Sequence, residues 1–214
     1  MSALIPHNAP GRTPPRSGWL AALRRLAAPR HGRCELCGVT LAADHRHLLE
    51  TRARRLVCTC DACSPITRDG LRTVPRQVRR LADFLITDPQ WEALQIPIGV
   101  AFCFHADDGG VVARYPGTAG TAESLLEPAP WSVLAAANPV LQSFAPEVEA
   151  LLVNRLDGAR EYFRAPIDYC YLLVALIRRH WRGWSGGPEA HAAITDFFAW
   201  MRDEPARLGA WNHA

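Results

Sequence analysis

Residues 34–63, CELCGVTLAADHRHLLETRARRLVCTCDAC, hold five of the chain's seven cysteines. Four of them form two C-x-x-C pairs, Cys34/Cys37 and Cys60/Cys63. That spacing lets two thiolates of one tight turn approach a single ion, while the amides of the turn face the sulfurs. Gly38 directly after the first pair permits the left-handed exit that such knuckles favour. Between the pairs, HRHLLE and RRLVCT read as a two-stranded ribbon around TRAR, which brings the knuckles together. A unit this small has almost no core, so metal binding should supply most of its folding free energy. The sequence therefore predicts a four-cysteine metal site. Zinc is the default for a closed thiolate shell, and a single iron in the same cage would make a rubredoxin-like centre.

The fifth cysteine complicates this. Cys58 precedes Cys60 by two residues on the same strand face, ~7 Å along the strand. Four thiolates already complete a tetrahedral shell, so Cys58 is expected to pack behind the ligands, with replacement of Cys60 or membership of a larger cluster as alternatives. His45 and His47 could also ligate, but they lie on the ribbon side and closure by four thiolates needs neither. They are expected to be structural or to face a partner.

At 214 residues and 49% apolar composition the chain can bury a real core. No secretory signal is visible, and the longest strongly apolar run, residues 170–177, is too short to span a bilayer. A cytoplasmic location is expected, where thiols stay reduced and clustered cysteines suggest metal before disulfides. All 24 basic residues are arginine. A Walker A loop, a kinase phosphate lysine and a pyridoxal Schiff base all require lysine, so those classes are excluded. Residues 1–80 carry 15 arginines against 5 acids, and residues 81–214 carry 9 against 16.

Three segments follow from the patterning. Residues 1–33 are basic and Pro-rich, with one short helix carrying Trp19, Leu23 and Leu26 on one side. Residues 34–66 are the metal ribbon, and an arginine-rich connector leads to an α+β domain over 81–214. There, two hairpins are expected, IGVAFCFH/VVARYP around Asp107–Gly110 and VEALLVNR/EYFRAP around Leu156–Ala159. A helix near Trp131 separates them, and helices over 168–183 and 188–202 follow. An antiparallel four-stranded sheet with helices on one face satisfies this order.

Several matches to catalytic patterns fail on context. Ser185 sits in a G-x-S-x-G match, but a helix rather than a strand precedes it, so it is expected to be a helix break. Cys103 and His105 point the same way from one strand, yet no orienting acid accompanies them and core packing is expected. Gly117 and Gly120 are expected in a loop, and Cys170 in the core. No catalytic constellation is assembled.

The segments CELCG, DHRHLLE, LVCTCDAC, IPIGVAFCFH, YPGTAGTAESLL, ALLVNR, DYCYLLVALIR and HWRGWSGG resemble a family of actinobacterial proteins often encoded beside nickel–iron hydrogenase genes. The resemblance spans about residues 34–203. It implies an accessory or adaptor protein in hydrogenase maturation or assembly, partnered by the hydrogenase or its maturation machinery, or an electron carrier if the metal is iron. Nucleic-acid binding through the arginine-rich half is the alternative, although residues 1–80 offer one aromatic, Trp19, for stacking. The Trp19–Leu23–Leu26 ridge is expected to bind a protein partner, with the arginines speeding encounter.

Overall fold

The run Val100–His105 carries no polar residue before its last position, and its burial explains why. In the computed structural model, which describes residues 32–66, 70–117, 120–180 and 186–211, this run is strand β5, and Val100 to Phe104 are all at most 2% exposed. A strand covered on both faces reads as continuous apolar sequence rather than as an alternation. The same holds for β8, Glu149–Asn154, which is buried along its whole length.

Both expected hairpins are present. Strand β5 pairs antiparallel with β6, Val111–Gly117, across a turn in which Gly109 adopts φ +86°. Strand β8 pairs with β9, Glu161–Pro166, across a turn in which Asp157 and Gly158 adopt φ 51° and 81°. The main sheet is nevertheless six-stranded, in the order β4-β9-β8-β5-β6-β7. The expected four-stranded sheet lacked its two edges. Strand β4, Arg79–Arg80, comes from the arginine-rich connector and pairs with β9. Strand β7, Gly120–Leu125, comes from the stretch read as a loop, and Gly117 and Gly120 are paired at the end of its hairpin with β6.

Helices cover both faces of this sheet, not one. Helix α1 spans Asp88–Ala93, with Thr87 and Gln90 forming a capping box. Helix α2 spans Pro128–Ala137, α3 Ile167–His180 and α4 Gly187–Trp211. On one face Phe102, Phe104, Leu152 and Phe163 pack against Leu173 and Ile177 of α3 and Phe197, Phe198 and Met201 of α4. On the other, Ala101, Cys103, Leu151 and Val153 pack against Trp131, Leu134, Leu141 and Phe144. On α4 the apolar residues Ile194, Phe197, Phe198 and Met201 are buried. On α3 the buried stripe is Ile167, Cys170, Leu173, Leu176 and Ile177, while Tyr169 and Leu172 are only partly covered. The helix expected around Trp19 and the Ser185 motif lie outside the described residues. Among the described residues, no helix is long and apolar enough to cross a membrane.

A second, three-stranded sheet carries the cysteines, in the order β2-β1-β3. Strands β1, Arg46–Glu50, and β2, Arg55–Thr59, form the expected ribbon, and β3, Leu71–Thr73, is added to it by the connector. This sheet is docked on the larger one. Leu49 and Val74 join the core beneath α3 and α4, with Leu56 packed against it. Arg54, at the ribbon's turn with φ +47°, reaches across to Glu123 at 2.8 Å and Glu147 at 3.5 Å, and its guanidinium lies over the Phe104 ring. Arg72 meets Asp107 at 2.6 Å.

Candidate metal centre

The first knuckle is a tight hairpin. Arg33 bridges Thr40, the Cys34 amide donates to the Val39 carbonyl at 2.7 Å, and Gly38 closes the turn with φ +77° and a bond from its amide to the Cys34 carbonyl. The second is a helical turn in which the amides of Cys63 and Ser64 both donate to the Cys60 carbonyl. Glu35, inside the first knuckle, joins the two. Its amide donates to the Cys58 carbonyl at 2.9 Å, and its carboxylate accepts from the Cys58 amide at 2.8 Å and from Arg55 at 2.7 Å. This clamps the first knuckle to the end of β2, immediately before Cys60.

The ligand atoms of Cys34, Cys37, Cys60 and Cys63 consequently lie within 4.8 Å of one another. The Cys37 and Cys60 sulfurs are 3.7 Å apart. A tetrahedral zinc–thiolate site with bonds of about 2.3 Å has sulfur–sulfur edges of about 3.8 Å. The donor set and spacing thus fit a four-thiolate metal ion. Cys34 and Cys63 are buried, Cys60 half-buried and Cys37 exposed.

Electrostatics at the cluster point the same way. Burial opposes ionisation of Cys34, but the amides of Cys60, Cys37 and Leu36 outweigh it and bring the thiol down to about 6. The neighbouring Cys60 and Cys37 push Cys63 up to about 12. Amides aimed at the sulfur favour the first thiolate, and crowding blocks the last. A cation is what lets four thiolates coexist at this distance.

Cys58 does not join this cluster. It lies opposite His47 in the β1–β2 register, and His45 directly precedes β1. Ligand atoms of His45, His47 and Cys58 form a separate group within 4.8 Å of one another. The His47 Nδ1 is 2.9 Å from Asp168 Oδ2 in the first turn of α3, and the His45 Nδ1 is 3.1 Å from the Ala42 carbonyl. Burial opposes protonation of His47, but Asp168 and Cys58 raise its pKa to about 9. His45 and His47 lower Cys58 to about 7. The sequence signal for this group was present: H-x-H leading into one strand, with a cysteine opposite it on the next.

Cys103 and Cys170, the cysteines outside both groups, lie in the core. Cys103 is 1% exposed and burial pushes its thiol up to about 12, while His105 meets the edge of Trp131 with ring centroids 5.7 Å apart. Cys170 is fully buried and its pKa is raised well above the usual value by burial.

The chain belongs to a protein family described as a family of unknown function, DUF5947, which it matches over residues 33–205. No curated protein and no solved structure matches it.

Proposed function

We propose that this chain is a metal-binding accessory protein in which Cys34, Cys37, Cys60 and Cys63 hold one zinc ion. The metal staples the ribbon of residues 34–66 so that it docks on the α+β domain of residues 81–214 and presents a defined surface to a protein partner. The observation that carries this reading is the convergence of four sulfurs from two knuckles, with the Cys37–Cys60 spacing of 3.7 Å that a zinc–thiolate tetrahedron requires. A closed thiolate shell leaves no position for substrate, so the role of this metal is structural.

Ion pairing among the described arginines weighs against the nucleic-acid alternative. Arg46, Arg54, Arg55, Arg72 and Arg76 pair with Asp61, Glu123, Glu50, Asp107 and Asp44. Paired guanidiniums contribute less to a phosphate-binding field than the sequence count suggests. The hydrogenase or its maturation machinery is the proposed partner, on the motif resemblance alone, and a cytoplasmic location belongs to the same reading.

One observation favours a second reading. Cys37 is exposed, so iron in the same cage would present a ligand sulfur at the surface, as an electron carrier needs. Metal analysis and an absorbance spectrum of protein purified under reducing, oxygen-free conditions decide between them. Zinc and a colourless protein are expected. Stoichiometric iron with visible thiolate-to-iron absorption would replace the adaptor by the rubredoxin-like carrier.

A further inference from the structure

We propose that His45, His47 and Cys58 form a second metal site, separate from the four-cysteine cluster and open to an exogenous ligand. Three features of the geometry lead there. The β1–β2 register sets Cys58 opposite His47, His45 directly precedes β1, and the ligand atoms of all three lie within 4.8 Å of one another. Both imidazoles are oriented as metal-binding histidines are. A carboxylate and a carbonyl can only accept, so each Nδ1 carries the proton and donates it, to Asp168 from His47 and to Ala42 from His45. The Nε2 atoms are what remain to bind, and a metal ion displaces the proton held there. Finally, the His45 Nε2 is buried and has no hydrogen-bond partner. A buried ring nitrogen without a partner is costly unless something occupies the space beside it.

Two imidazoles and one thiolate suit a borderline-soft divalent ion such as zinc or copper(II). Three protein donors leave the fourth tetrahedral position to water or a small ligand, the arrangement that closed structural sites lack. Asp168 is not a ligand here. It is a positioning residue that fixes the His47 tautomer and ties the site to α3, so the ion would sit at the seam between the ribbon and the main sheet.

Cobalt(II) titration of the full-length, metal-free, reduced chain is the test, because thiolate-to-cobalt absorption grows with the number of sulfur ligands. The wild-type chain should take up two equivalents, one with a four-thiolate and one with a one-thiolate spectrum. Cys58→Ser and His45→Gln should each take up one, with the four-thiolate spectrum intact. That retained spectrum reports that the knuckles are still folded. Asp168→Asn should keep two equivalents and weaken the one-thiolate site 10- to 100-fold. Uptake of one equivalent with a four-thiolate spectrum by wild type, or of two by Cys58→Ser, would overturn the second site. Uptake of one equivalent with a one-thiolate spectrum would instead overturn the four-cysteine assignment and leave this site standing.

Discussion

The two sheets of this protein reach order by different means. The six-stranded sheet is buried on both faces by side chains such as Phe102, Phe163, Trp131 and Phe198. The three-stranded ribbon sheet buries Leu48, Leu49, Val57 and Thr59, and carries His47, Cys58 and three arginines among its other positions. One is a hydrophobic core; the other adds Leu49 to that core and, in the proposed reading, gains the rest of its order from a cation. The contrast explains why the same chain combines near-continuous apolar strands with a segment in which five of thirty residues are cysteine.

The contrast can be broken most severely at the knuckles. Structural zinc binding by small cysteine units is worth on the order of 10 kcal/mol. Cys34→Ser should therefore abolish metal retention at the four-cysteine cluster and unfold the ribbon while the main sheet keeps its circular dichroism. Metal content and far-ultraviolet spectra check this. Stoichiometric metal in Cys34→Ser would remove that residue from the ligand set, and Cys60→Ser should lose far more four-thiolate binding than Cys58→Ser.

The converse substitution targets the apolar sheet. Phe163 is fully buried between the sheet and α4, so Phe163→Ala should cost about 3–5 kcal/mol in global stability by chemical denaturation. The metal-to-protein ratio of the folded fraction should not change. A coupled loss of metal would mean that the two sheets are one cooperative unit.

Arg54 probes the seam itself. It reaches from the ribbon turn to Glu123 and to the 4%-exposed Glu147. Arg54→Ala leaves Glu147 buried without its cation, at a cost of about 2 kcal/mol. Metal-loaded protein should show this as a lower denaturation midpoint with the metal still bound. The smallest effect is a control remote from the ribbon. Thr87→Ala removes the α1 capping box and should cost about 1 kcal/mol.

How much of this was legible depends on whether the signal was local. The knuckles, the ribbon and both glycine-turn hairpins are local patterns, and the structure places them where the sequence does. Strand β7, GTAESL, has no strand-like composition and exists because it pairs with β6 at the sheet edge. Strands β3 and β4 were hidden in a connector whose arginines look like solvated linker, although its Val74 and Val78 are buried in the core. The second covered face was readable in VAFCF, which has no polar alternation, but was read as one-sided. The His45–His47–Cys58 group required both the ribbon register and α3, which brings Asp168 to His47 across 121 positions of sequence.

Hydrogen exchange followed by mass spectrometry, with and without a chelator, tests most directly whether metal rather than apolar burial orders the ribbon. Peptides covering residues 46–59 should be protected in metal-loaded protein and exchange freely once the metal is removed. Peptides covering 100–105 and 149–154 should keep their protection throughout. Persistent protection of 46–59 in the metal-free chain, or loss of protection in both sheets together, would contradict the account.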